Sequence, residues 1–179
     1  ISLYTYDPDK AKALLKEAGW ETNRTLRFLV PVGNKVREQA ADILVQNLKD
    51  VGFKIDTQKY DFSTLVQKVL DQQYDLTIFN RDYYIDPSNY FSLFHSDNAS
   101  NFIFYNNPKA DELITKGDDE PGSAKRNEIY KELQQILHDD LPTLSIYSEK
   151  RIQAVSKDVL VGKPLNIGMF NNVNEWDLK

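Results

Sequence analysis

Apolar positions recur along this chain in blocks that switch between the helical and the extended period, so successive segments present one face by turns as helix and as strand. Behind Asp7-Pro8, an N-capping acid and a proline whose missing N–H costs nothing in a first turn, Ala11, Leu14, Leu15 and Ala18 fall at helical spacing, and Gly19 closes the segment. The spacing predicts a helix with one buried face. Leu26, Phe28 and Val30 then alternate as a first strand that ends at Pro31-Val32-Gly33-Asn34. A second helix starts near Asn34, carries Val36, Ala40, Ile43, Leu44, Leu48 and Val51 on one stripe, and stops at Gly52. Phe53, Ile55 and Thr57 alternate again. Asp61 or Ser63 caps a third helix through Leu65, Val66, Val69 and Leu70, and Leu76-Thr77-Ile78-Phe79 makes a third strand.

Strand, helix, strand, helix, strand is the order that produces a parallel sheet with right-handed crossovers and helices on both faces. It predicts strands near 25–30, 53–58 and 75–79 in the spatial order two, one, three. Beyond them Asp86-Pro87 opens another helix over Tyr90, Phe91 and Phe94, and Asn107-Pro108 repeats the device before Ala110, Leu113 and Ile114. Gly117 to Gly122 reads as a loop. Ser123 reads as the cap of a long helix with Ile129, Leu133, Ile136 and Leu137 inward and Pro142 at its end, and residues 144–147 and 152–155 read as further strands.

Composition narrows the class. With 179 residues the chain can bury a core, and no apolar run approaches the roughly 20 residues that span a bilayer. A net charge of −5 argues against nucleic acid, which needs a basic face. With no cysteine there is no disulfide, no thiolate nucleophile and no cysteine-ligated zinc. No Gly-x-Ser-x-Gly elbow and no evident triad accompany the two histidines, so the chain is not read as an enzyme. A receiver domain would need an acidic pair where the first strand ends in Val30-Pro31-Val32-Gly33. The chain opens on Ile1 and runs straight into a helix signal, which reads as a fragment or a processed product.

In open parallel sheets ligands collect outside the carboxyl ends of the strands, where neighbouring connections diverge. That rule singles out residues 31–35 and 80–87. Asn80-Arg81-Asp82-Tyr83-Tyr84-Ile85-Asp86 gathers a guanidinium, carboxylates and phenols able to meet both ends of a zwitterion, and Asn34 opens a helix whose free N–H groups attract an anion. The candidate ligand-binding set is therefore Asn80, Arg81, Asp82, Tyr83, Tyr84, Asp86 and Asn34. The competing structural role for the loop is that Asp86 caps the helix at Pro87 and Arg81 pairs with it. His95 with Asp97 is too few ligands for a metal, His138 beside Asp139 suits a helix end, and Asp118-Asp119-Glu120 lacks the spacing of a calcium loop. No metal and no cofactor are expected.

The run Tyr6-Asp7-Pro8-Asp9-Lys10-Ala11-Lys12-Ala13-Leu14-Leu15-Lys16-Glu17-Ala18-Gly19-Trp20, the helix from Ala40 to Gly52, Asp86-Pro87-Ser88-Asn89, Tyr105-Asn106-Asn107-Pro108 and the Arg126 to Pro142 helix are spread in order along residues 4 to 160. In this order and spacing they resemble the carboxyl-terminal lobe of the family 5 extracellular solute-binding proteins, the oligopeptide and dipeptide receptors of ABC importers. The resemblance implies an α/β, periplasmic-binding-protein-like (class II) lobe, with residues 1–147 as the ligand-binding lobe and 148–179 as a return segment toward a missing amino-terminal lobe. It implies a small solute, a peptide, as ligand, an ABC transporter permease as partner, and a place at the extracellular face of the membrane as an anchored lipoprotein or in a periplasm. Peptide receptors of this family commonly carry an aspartate four residues before the proline of the Asp-Pro pair; here that position is Tyr83, with Asp82 one residue earlier. A sugar stacked on Tyr83, Tyr84 and Tyr90 is an alternative solute, and a purely structural or interaction domain is the alternative of another class.

Overall fold

The computed structural model describes residues 4–20, 23–81, 86–148, 150, 152, 154, 156, 160–162 and 171–178. They fall into two compact units, Ile1–Thr143 and Leu144–Lys179. In the first, β1 (Thr25–Pro31) lies between β2 (Lys54–Tyr60) and β3 (Leu76–Thr77), and both ladders are parallel. The order is the expected two, one, three. Phe28 stands opposite Thr57 on one side and Leu76 on the other. β3 is shorter than its sequence suggests: the Ile78 N–H reaches the Leu29 carbonyl only at 3.4 Å, and the chain then leaves the ladder.

Alternation along β1 feeds two helices. Phe28 and Val30 point to α2 (Lys35–Asp50), meeting Ala41 and Val45 together with Ile78, while Leu29 points the other way to Leu65 and Val69 of α3 (Phe62–Leu70). Leu29 and Val30 are fully buried, and burying each contributes about 1.5–3 kcal/mol. Gly52 closes α2 with a φ of +111°, a left-handed turn that a side chain would strain. Trp20 packs edge-on against Phe53 just beyond that turn, with ring centroids 5.1 Å apart.

The first helix, α1 (Pro8–Glu17), has its Asp7 cap accepting the Lys10 N–H, but the buried face expected of it is not there. Ala11 and Leu15 are half-covered and Leu14 stands about half exposed. An amphipathic stripe offers a face for burial; it does not supply the partner. Ahead of the helix, Tyr4 stacks on His138 with ring centroids 4.6 Å apart and planes 4° from parallel, and its hydroxyl donates to the His138 carbonyl.

A helical half completes the unit. α4 (Pro87–Phe91) runs into a 3-10 turn at Ser92–Phe94 and packs with α5 (Pro108–Asp119) and α6 (Ser123–Asp140) around Phe91, Phe94, Leu113, Ile114, Tyr130 and Leu133. Buried Asn101 pins the connection between them: its Nδ2 donates to the carbonyls of His95 and Tyr105, and its Oδ1 accepts the Tyr105 N–H. Two sequence expectations change here. Gly117 to Asp119 is helix, not loop, and Gly117 suits its place because the Tyr130 ring occupies the space that a Cβ would need. Ser123 is the first helical residue of α6, not its cap; Gly122 holds the cap position, and the Glu120 carboxylate takes the Gly122 N–H instead.

In the second unit β4 (Leu160–Val161) pairs antiparallel with β5 (Asp177–Leu178), and Gly162 lies against the Trp176 indole, whose N–H donates to Asn172. Residues 144–147 are not strand, contrary to their alternation, since alternation alone supplies no ladder. Ile152 and Ala154 carry none either, and Gln153 and Val155 lie outside the described residues.

A methyl group added at Gly117 would sit 2.2 Å from Tyr130 Cε1. That ring cannot swing away freely, since it packs on Phe91 and its hydroxyl is tied to Asp118 and Arg126. Gly117→Ala should therefore destabilise the fold by about 1–3 kcal/mol in urea unfolding, against the ~1 kcal/mol gain that alanine brings to an ordinary helix interior. A second change, Tyr130→Leu, should make Gly117→Ala neutral or favourable. A neutral single variant would remove the packing argument.

Candidate functional site at the carboxyl edge of the sheet

All three parallel strands deliver the chain to one edge. There β1 runs out through Pro31 to Val32, whose N–H still reaches the Tyr60 carbonyl at 2.9 Å, and turns at Gly33 into α2. Beside it β2 passes through Asp61 to Phe62, and β3 passes through Phe79 to Asn80 and Arg81. Because β3 pairs with β1, the loops after these two strands leave the sheet side by side. Val32, Val36 and Phe62 stand 45%, 54% and 57% exposed around this edge, a concentration of apolar surface at the place where the sheet is open.

The helix starts at the edge are satisfied locally. Asn34 caps α2, its Oδ1 accepting the Arg37 N–H at 3.0 Å, and Glu38 reaches back to the Gly33 N–H. Asp61 caps α3 and accepts from the hydroxyls of Ser63 and Thr64 as well as the Thr64 N–H; the Ser63 hydroxyl does most to hold its carboxyl well below the usual carboxylate range.

Of the sequence candidates, Asn80 and Arg81 are exposed at the end of β3. Asp82, Tyr83 and Tyr84 lie outside the described residues, as does the expected exposure of either tyrosine. Asp86 accepts the Ser88 N–H as the cap of α4 and takes a two-pronged grip from Arg126, whose Nη1 and Nη2 donate at 2.8 and 2.7 Å. Arg126 also donates to the Gly117 carbonyl and the Tyr130 hydroxyl. The Arg126 fork holds the Asp86 carboxyl far below the ordinary carboxylate range and raises the guanidinium correspondingly. The partner of Asp86 is thus Arg126, forty positions away, and not Arg81. Arg81 stands over the Phe102 ring, 5.8 Å from its centroid.

Reasoning from sequence missed an aromatic row beneath Arg81. Phe102 and Phe79 have centroids 6.2 Å apart, and Phe62 meets Phe79 edge-on at 6.1 Å. Only the odd positions of β1 and the start of α3, read together, hint that Phe79 and Phe62 share a face. Two depressions of about 450 and 400 Å³ are also present, one lined by Leu70, Phe102, Phe104 and Tyr105, which shares Phe102 with the row beneath Arg81, the other by His95, Asp97 and Asp118. His95 Nδ1 accepts the Asp97 N–H, Asp118 accepts the Tyr130 hydroxyl and Glu120 pairs with Lys125. Among the described residues no three His, Asp or Glu side chains gather as metal ligands, and no helix is long and apolar enough to cross a membrane.

With an α/β unit open at the carboxyl edge of a parallel sheet, the chain has the architecture of a periplasmic-binding-protein-like lobe. Residues 2–102 match the family of bacterial extracellular solute-binding proteins, family 5 Middle, and the chain belongs to that family. It is 29% identical over 182 residues to the dipeptide-binding protein of Escherichia coli (strain K12), covering 96% of this chain and 34% of that protein. It is 26% identical over 193 residues to the oligopeptide-binding protein AppA of Bacillus subtilis (strain 168), covering 98% and 35%. The crystal structure of the ABC transporter substrate binding protein CtaP from Listeria monocytogenes superposes with a TM-score of 0.67 at 33% identity, over 78% of this chain and 29% of that one. The chain thus spans about a third of the length of the curated relatives it matches.

Replacing Asp86 by Asn keeps an oxygen for the Ser88 N–H and removes the charge facing Arg126. A carboxyl whose folded pKa is depressed adds stability above its unfolded value, and that contribution disappears as pH falls through the folded value. Thermal melts should show Asp86→Asn less stable than the parent at pH 7, with the gap closing as pH drops below about 4. A gap independent of pH would mean the ion pair does not contribute.

Proposed function

We propose that this chain is the carboxyl-terminal ligand-binding lobe of a two-lobed receptor that captures a peptide outside the cytoplasm and delivers it to an ABC transporter permease. The observation that carries the reading is the edge itself: Val32, Val36 and Phe62 hold large apolar side chains in water around the point where all three strands end. A small-molecule site is enclosed on most sides, and one edge of one sheet encloses nothing. The apolar surface is what a solute and a second lobe would cover. Relatives named as dipeptide- and oligopeptide-binding proteins, each about three times the matched length, support a peptide as the solute and leave length for a second wall.

In this reading residues 1–147 form the lobe and 148–179 return toward the amino-terminal lobe. Leu144, Ile146, Tyr147 and Ile152 are exposed, and such apolar surface is consistent with a crossing. Tyr4, fixed on His138, would be the other crossing. Asn80 and Arg81, with Asp82, Tyr83 and Tyr84 between them and α4, would face the solute. Asn34 and Asp86, whose oxygens already serve caps, would hold the two loops in place. The receptor would be tethered to the outer face of the membrane as a lipoprotein or free in a periplasm.

The test is calorimetry of this chain alone beside the two-lobed receptor, with a panel of di- to pentapeptides. One wall supplies part of the contacts while the solute still loses its full freedom of motion, so the chain alone should bind at least about a hundredfold more weakly. Equal, tight binding by the chain alone would mean that the site is complete within these residues and would end the half-receptor reading.

A further inference from the structure

We propose that Arg81, Phe102, Phe79 and Phe62 form a subsite for a carboxylate carried beside a large apolar group of the solute. The proposal rests on the solute-binding reading above and specifies what one part of that site accepts. Arg81 is exposed, and its guanidinium carbon stands 5.8 Å from the centre of the Phe102 ring. A cation held over an aromatic ring at this distance keeps its N–H donors unspent on the ring, and a guanidinium so placed can meet a carboxylate with two parallel hydrogen bonds. Among the described residues Arg81 makes no ion pair and donates no hydrogen bond, whereas Arg24, Arg27 and Arg126 are each engaged with an aspartate. Among the described residues its one partner is the Phe102 ring.

Below the fork the aromatic row continues. Phe102 and Phe79 are half-buried and tilted 31° to each other, and Phe62 closes the row edge-on, more than half exposed at the head of α3. The half-buried rings give an apolar floor, and the exposed ring gives the surface that gains by being covered. A guanidinium over such a floor selects a ligand that is anionic at one point and apolar next to it. In a peptide that chemistry comes from two sources, a carboxyl-terminal residue with a bulky side chain or an acidic side chain next to one. Neither a free amino group nor a neutral polar group gains from Arg81.

The experiment is titration calorimetry of the two-lobed receptor, unsubstituted and as Arg81→Met and Phe62→Ala, with three peptides: alanyl-alanyl-phenylalanine, its carboxyl amide, and the amide of alanyl-glutamyl-phenylalanine. Both side chains stand in solvent, and unchanged melting of the empty variants marks them as folded. Arg81→Met should weaken whichever carboxylate-bearing peptide the subsite takes by about tenfold or more and the simple amide by less than about twofold; the free acid and the glutamyl amide tell the two carboxylate sources apart. Phe62→Ala should weaken all three phenylalanyl peptides by about fivefold, and undiminished binding of all three would remove Phe62 from the subsite. If Arg81→Met weakens all three equally, Arg81 serves closure of the lobes and the subsite is wrong. If the unsubstituted receptor binds peptides with no preference for a carboxylate, the subsite alone fails; if it binds no peptide, the reading on which it rests fails as well.

Discussion

A strand that is hydrogen-bonded on both edges and covered on both faces leaves its neighbours no choice of position, and β1 is that strand. Its ladders fix β2 and β3 in parallel, and its alternating side chains set α2 on one face through Phe28 and Val30 and α3 on the other through Leu29. A one-residue slip would exchange those faces and put Leu29 against α2. Because all three strands run the same way, their ends open on a single edge, so what the chain can offer a solute is decided where β1 is packed.

The helical half is tied to that edge by charge. Asp86 stands at the end of the loop that follows β3, caps α4, and is gripped by Arg126 from α6, which also reaches the Gly117 carbonyl in α5. Three helices and the end of the loop thus meet in one network of hydrogen bonds, with Tyr130 closing it from the apolar side. A partly buried arginine satisfied by a carboxylate, a carbonyl and a phenol is costly to dismantle piecemeal, because each loss leaves the others unpaired. The loop therefore has one firmly held end at Asp86 and another at β3.

Elements built from neighbouring residues were legible in the sequence. Asp7-Pro8, Asp86-Pro87 and Asn107-Pro108 each start the helix they announce, because a cap and a first-turn proline act within three residues. The strand order followed from the alternation of periods. What was not legible depends on partners distant in sequence. The link from Asp86 to Arg126 crosses forty positions, Gly117 reads as a loop until Tyr130 is seen lying on it, and the row from Phe62 through Phe79 to Phe102 draws on three separate segments. Strand alternation misled at 144–147 for a related reason: pattern reports what a segment could pair with, and pairing needs a neighbour.

The placement of the two tryptophans has a practical side. Trp20 packs on Phe53 in the first unit, and Trp176 packs on Gly162 in the second. With only these two indoles in the chain, each unit carries its own intrinsic fluorophore. Emission can be assigned to one unit or the other by exchanging a single indole for phenylalanine, so the unfolding of each unit can be followed optically without attaching a dye.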